Sequence, residues 1–232
     1  MLPDELPAIP GFELAAHYLT SARAGGDYYD FFPLHAGGWG IFIADVSGHG
    51  TPAAVLMAIT HALAHAQPGT HTPPAVLLQY LNQQLSRFYT RDGTFVTAFY
   101  AVLDPSIRTL EYSMAGHNPP RLVRDNQVLS LNKNSALPLG ILCDQSYGQS
   151  SVTLEESDLL LLYTDGITEA VAPRTSAGPR ELFGIDRLDR VLLDCRNRAA
   201  ESCVARIRTE VCAFSGNAPP TDDQTLIAIR CL

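Results

Sequence analysis

Between Thr94 and Asp165 the chain is written almost wholly in short β-prone runs separated by turn residues, whereas the segments on either side carry helical spacing. "TFVTAFYAVLD" (94–104) and "TLEYSMAG" (109–116) flank Asp104-Pro105-Ser106, a turn signal that predicts a hairpin. "RLVRDNQVLSL" (121–131) predicts a second hairpin through Asp125-Asn126, and "DLLLLYTDG" (158–166) a strand running into a turn. Ahead of this block, "WGIFIADV" (39–46) reads as a buried strand, and 51–66 and Pro74 to Tyr89 read as helices joined by a loop at 69–74. Thr51 is placed to cap the first helix, with Pro52 at its first position. Behind the block come a Pro/Gly/Ser-rich loop at 172–183, helical segments at 180–194 and 198–214, and a final strand at 224–232. Strands gathered around paired helices, instead of alternating with them, predict an α+β fold with helices packed on an antiparallel sheet system. With no linker in view, residues 1–232 read as one domain, residues 1–12 being the end of an N-terminal linker.

A chain that is 46% hydrophobic and 17% charged can bury a sizeable core and is not disordered. Its net charge of −8 argues against nonspecific nucleic-acid or anionic-membrane binding, which need a basic surface. The five cysteines are odd in number and show no C-x-x-C, which reads as reduced thiols in a cytoplasmic protein. No basic-then-apolar leader opens the sequence, and its longest apolar runs are too short to span a bilayer.

Four places share one pattern, an acidic residue at the end of an apolar run beside glycine or another acid. They are "GGDYYD" (Asp27, Asp30), "IADVSGHG" (Asp45), "LLLLYTDGITEA" (Asp165, Glu169) and "PTDDQTLIAI" (Asp222, Asp223). Any one alone is ordinary turn chemistry, since Asp and Gly punctuate turns and caps. Four together imply strand ends converging at one rim, where carboxylates raise one another's pKa unless cations neutralise them. Oxygen-only ligands suit Mg²⁺ or Mn²⁺, and paired ions of this kind activate water for displacement at phosphorus. Gly25-Gly26, Gly48, Gly50 and Gly166 beside these acids supply close approach or positive φ.

Taken in order, "GGDYYDFF", "ADVSGHGTPAAVLMA", "TAFYAVLD", "YSMAGHNPP", "LPLGI", "LLLYTDGITEA" and "DDQTLIAI" resemble the SpoIIE/RsbU-like branch of the metal-dependent protein phosphatases, the type 2C superfamily. The likeness runs from about Gly11 to Ile229. It implies a four-layer α-β-β-α sandwich, two central mainly antiparallel sheets flanked by helices, with two Mn²⁺ or Mg²⁺ ions at one end. It also implies hydrolysis of a phosphoserine or phosphothreonine protein by a metal-activated water. Catalysis is expected to rest on Asp27, Asp45 and Asp165. Asp45 would bridge both metals, Val46 would offer its backbone carbonyl, and Asp27, Asp165 and Asp222 would complete the coordination. Asp223 competes with Asp222, because a one-residue shift exchanges them. Arg23, Gly48 and His49 are the expected substrate contacts. The implied partner is a phosphorylated STAS-domain anti-sigma-factor antagonist, with homodimerisation and an N-terminal sensory domain as features of the branch. Two other readings stand beside this one: a catalytically inactive regulatory binding module, and a hydrolase of small phosphorylated metabolites.

His49 and His117 invite a catalytic reading, but no G-x-S-x-G accompanies them, and local hydrogen bonding that holds a loop is the simpler role. His61 and His65 lie four apart on one helix. With no H-E-x-x-H and no third ligand in view, a surface or packing role is expected there in preference to zinc. Tyr28, Tyr29, Phe31, Phe32 and Met57 read as core or cleft-lining residues.

Overall fold

Strand alternation sets the layers of this protein, whose computed structural model describes residues 2–66, 72–90, 93–173 and 180–232. The first half contains β1 (Phe12–Leu19), β2 (Tyr28–Pro33), β3 (Trp39–Val46), α1 (Thr51–His65), α2 (Pro74–Phe88), β4 (Val96–Asp104) and β5 (Thr109–Ala115). The second half adds β6 (Arg121–Arg124), β7 (Gln127–Ser130), β8 (Ser135–Ala136), β9 (Ser150–Thr153) and β10 (Leu159–Tyr163). The chain closes with α3 (Asp165–Thr168), α4 (Gly184–Asp194), α5 (Ala200–Phe214) and β11 (Gln224–Cys231). One sheet runs β1-β11-β10-β6-β7 and the other β2-β3-β4-β5-β8, with β9 also paired to β5. All pairings are antiparallel except β5 with β8.

In β3, Ile41 and Ile43 face the space between the sheets, while Phe42, Ala44 and Val46 face α1 and α2. β10 divides its side chains the same way: Leu160 and Leu162 point inward, and Leu159, Leu161 and Tyr163 meet α4 and α5. Period-two alternation thus builds three cores, one between the sheets and one under each helical layer. The result is the α-β-β-α sandwich and α+β class that the sequence implies. Ile9 is buried, and Leu2 and Leu6 pack on the central core, so the segment ahead of β1 adheres to the domain.

Local differences from the sequence reading have identifiable causes. Thr51 does not cap α1: the cap position is Gly50, at φ +75, and no side chain bonds there. The Gly50 carbonyl accepts the Ala54 N–H at 3.0 Å. α4 begins at Gly184, not at 180, because Leu182 bridges to Val171 and the Phe183 N–H donates to the Ala170 carbonyl at 2.8 Å. The turn after β10 is a single helical turn, α3. The expected loops at 69–74 and 172–183 fall in part on residues 67–71 and 174–179, outside the described residues. Among the described residues no helix is long and apolar enough to cross a membrane.

Candidate metal centre

The inward-facing rows of both sheets stay apolar along the sandwich and turn polar at one end. Phe31 and Tyr29 are followed on that face by Asp27, and Ile41 and Ile43 by Asp45. In the opposite sheet Leu160 and Leu162 lead to Thr164, and Ile229 and Ile227 to Thr225. One step beyond the Tyr28–Ala44 pair, the β2/β3 register sets Asp27 opposite Asp45. The buried Asp27 carboxylate spans the sandwich: its Oδ2 accepts from Thr164 Oγ1 at 2.7 Å and from Thr225 Oγ1 at 2.6 Å. Both threonines escaped the sequence reading. A hydroxyl standing where alternation calls for an apolar residue was the available signal.

Asp165 opens α3 at the end of β10, and Asp222 lies in the exposed approach to β11. The four acids act on one another. Burial raises the Asp27 pKa, with the Thr225 and Thr164 hydroxyls opposing and the Asp223 and Asp165 charges adding to the rise. Asp45 is raised by burial and then by Asp27, Asp165 and Asp222. Burial, Glu169 and Asp222 push Asp165 up to about 6. Burial leads each rise, and the neighbouring carboxylates add to it.

Asp222 and Asp223 have different duties in the fold. Asp223 Oδ1 accepts the Ser21 N–H at 2.8 Å and the Ser21 hydroxyl at 3.2 Å, and its Oδ2 accepts the Gly26 N–H at 2.7 Å. It therefore fastens both ends of the 21–26 loop, on which Arg23 is exposed. Asp222 Oδ1 accepts the Asp223 N–H at 2.9 Å, and its charge reaches Asp45 and Asp165.

The glycines work by close approach. A Cβ at Gly26 would lie 3.1 Å from the Val46 carbonyl oxygen, and because the Gly26 N–H is given to Asp223 it cannot donate to that oxygen. A Cβ at Gly166 would overlap the Asp223 carbonyl. After Asp45 the chain turns through Ser47, whose N–H donates to the Phe95 carbonyl and whose hydroxyl accepts the Phe95 N–H, both at 2.9 Å. Gly48 at φ +93 and Gly50 at φ +75 then carry the exposed His49 across to α1. A groove of about 600 Å³ borders this turn, lined by Val46, His49, Pro52, Val55, Leu56, Ile59 and Tyr89.

Two further residues singled out in the sequence have other partners. His117 is buried with Nδ1 at 2.9 Å from Thr97 Oγ1, and burial pushes its pKa down to about 3. Thr97 is the cross-strand neighbour of Asp45, so this hydrogen bond ties the ring to the strand beside β3. Asp30, grouped with Asp27 by the sequence pattern, shares the outward parity of Tyr28 and meets α1. It lies three positions after Asp27, an odd step that puts the two on opposite faces of the sheet.

The donor set fits hard divalent cations. It offers carboxylate oxygens and a backbone carbonyl with no nitrogen or sulfur among them. The oxygens are also spread more widely than a single-ion cage. Among the described residues, the one group of three potential ligands whose atoms lie within 4.8 Å of one another is Asp30, His61 and His65, on the other face.

The family model for stage II sporulation protein E (SpoIIE) matches residues 35–232. Phosphoserine phosphatase RsbU of Bacillus subtilis is 31% identical over 190 residues, covering 81% of this chain and 55% of the relative. Phosphoserine phosphatase RsbP of the same organism is 28% identical over 163 residues, 69% of this chain and 40% of the relative. The chain thus spans about half or less of the length of these curated relatives. Among solved structures, the SiaA-PP2C domain of Pseudomonas aeruginosa superposes with a TM-score of 0.80 at 22% identity, over 94% of this chain and 85% of that one. The RsbU and RsbW domains of a Mycobacterium tuberculosis protein give a TM-score of 0.78 at 25% identity, over 97% and 61%. With a family model matched over most of its length and a sandwich of the same architecture, the chain belongs to the SpoIIE family.

Proposed function

We propose that this protein is a metal-dependent protein phosphatase that removes phosphate from serine or threonine of a signalling protein in a partner-switching pathway. The observation that carries the reading is the convergence of Asp27, Asp45, Asp165 and Asp222, from four separate segments, on one end of the sandwich, where burial and neighbouring carboxylates raise the pKa of Asp27, Asp45 and Asp165. The names of the two Bacillus subtilis relatives, both phosphoserine phosphatases, support the same activity. The structure that joins RsbU and RsbW domains supports a partner-switching context.

Asp45, on which the charges of Asp27, Asp165 and Asp222 all act, would be the ligand common to the ions, and the Val46 carbonyl beside Gly26 would add a neutral donor. Two Mn²⁺ or Mg²⁺ ions held there would neutralise the cluster and supply an activated water for in-line attack on phosphorus. The Thr164 and Thr225 hydroxyls fix the Asp27 carboxylate, so one donor is oriented before any ion arrives. Asp223 holds the 21–26 loop, and through it presents the Arg23 guanidinium for a phosphate oxygen. Gly48 and His49 form the near wall for the substrate, and the apolar groove beside them accepts the chain flanking the phosphorylated residue. The substrate of this reading is a STAS-domain antagonist of an anti-sigma factor, met in the cytoplasm. The chain acts beside an N-terminal sensory domain and as a homodimer.

Phosphate release from phosphoserine and phosphothreonine peptides, compared with nucleotides and sugar phosphates, tests the substrate class. Mn²⁺-dependent, EDTA-sensitive release from the peptides alone is the expected result. Preference for the small phosphates would favour a metabolite hydrolase, and no release from any substrate a regulatory module.

A further inference from the structure

On the outer face of the β2/β3 sheet, three potential metal ligands from two elements meet at one point. His65 Nε2 lies 2.7 Å from Asp30 Oδ2, and His61 Nδ1 lies 3.8 Å from the same oxygen. All three ligand atoms fall within 4.8 Å of one another. The edge of a tetrahedron with 2.0–2.1 Å metal–ligand bonds is about 3.4 Å, so small side-chain adjustments would admit an ion. The spacing has a simple origin: residues i and i+4 of α1 share a face, and that face packs on β2.

The group is also oriented in advance. The Tyr28 hydroxyl donates to Asp30 Oδ2 at 2.7 Å, and the Phe31 N–H donates to Oδ1 at 2.7 Å. The two imidazole centroids are 4.3 Å apart, with His61 edge-on to Tyr28 and His65 against Phe32. His61 Nδ1 lies 3.0 Å from the Tyr28 hydroxyl oxygen, which sets its ring beside Asp30. Asp30 is nearly enclosed while the His65 side chain is 45% exposed, leaving an approach from solvent and room for water as a further ligand.

We propose that Asp30, His61 and His65 form a second metal site, selective for a borderline transition-metal cation of the zinc class and separate from the carboxylate centre. Two imidazoles and one carboxylate suit Zn²⁺, Co²⁺ or Ni²⁺ and are poor for Mg²⁺, the opposite preference to the oxygen-only cluster. Occupancy ties α1 to β2. These two elements flank the carboxylate centre directly, since β2 follows Asp27 and α1 follows the Gly48–Gly50 turn. The inference stands on its own geometry and is independent of the phosphatase reading.

The test titrates the full chain with Co²⁺ in the presence of excess Mg²⁺ and reads the visible absorption of low-coordinate Co²⁺. The wild-type protein and Asp45→Asn should both show the band. The His61→Gln/His65→Gln double variant should lose it, with affinity lower by more than about 100-fold. A band retained in the double variant, or lost in Asp45→Asn, overturns the proposal. The second reading needs no variant: ¹⁵N resonances of the wild-type imidazoles during Zn²⁺ titration. Saturable shifts of His61 and His65 at one equivalent support the site, and shifts of neither through a molar excess overturn it.

Discussion

The backbone of Gly166 lies so close to Asp223 that a single methyl group on its Cα would overlap the Asp223 carbonyl oxygen. This approach brings α3, which begins with Asp165, against the segment that carries Asp222, and the Gln224 side-chain amide bonds the Gly166 carbonyl at 3.1 Å. Gly166→Ala must push these segments apart. It should destabilise the protein by about 1–3 kcal/mol in chemical denaturation. Mn²⁺ affinity should fall further than that loss alone explains, since Asp165 and Asp222 would no longer be held at their working separation.

Asp222 and Asp223 are adjacent in sequence and should respond differently to substitution. Asp223 accepts from three donors of the 21–26 loop and is buried, so Asp223→Ala should cost about 2 kcal/mol or more of stability. Asp222 is exposed, so Asp222→Ala should leave thermal stability of the metal-free protein within about 0.5 kcal/mol while weakening Mn²⁺ binding. Thermal melts paired with calorimetric Mn²⁺ titration distinguish the two. The opposite pattern would make Asp223 the ligand.

Neutralising Asp45 should separate stability from function. Burial and three neighbouring carboxylates raise the Asp45 pKa to about 9, so folding without metal at neutral pH must carry a proton there at a cost that Asp45→Asn removes. The metal-free variant is expected to melt higher than the wild type by about 1 kcal/mol or more at neutral pH, and to gain less from added Mn²⁺. Melting curves with and without Mn²⁺ give both quantities.

His117 gives the fold a pH dependence of known sign. Its folded pKa of about 3 lies below the ordinary value of 6.5. Its contribution is therefore complete above that ordinary value and is lost as pH falls toward the folded one. Between pH 7 and pH 5 this one residue should cost about 2 kcal/mol of stability. His117→Asn should be less stable at pH 7 through the weakened link to Thr97, with a shallower decline in acid.

Local periodicity made β3 to β7, β10 and β11 legible, with Asp45 and Asp165 at the ends of β3 and β10, because each is settled by a few neighbouring residues. "WGIFIADV" became β3 with its stated bounds for that reason. What stayed hidden depends on contacts distant in sequence. Asp30 sits beside Asp27 in "GGDYYD", yet odd spacing sends it to the other face, where it meets His61 and His65. The choice between Asp222 and Asp223 is likewise invisible along the chain, since it turns on hydrogen bonds to Ser21 and Gly26, about 200 residues earlier. Strands β8 and β9 are two and four residues long, too short to show alternation.

The central claim, that the carboxylate cluster is a two-ion hydrolytic centre, is tested most directly by the initial rate of phosphate release from a phosphoserine peptide. The comparison sets wild type against Asp45→Asn at saturating Mn²⁺, with folding verified by circular dichroism. The account predicts wild-type release that EDTA abolishes and Mn²⁺ restores, and a fall of at least about 100-fold in a folded Asp45→Asn variant. Release that survives EDTA, or a folded Asp45→Asn variant as fast as the wild type, would contradict it.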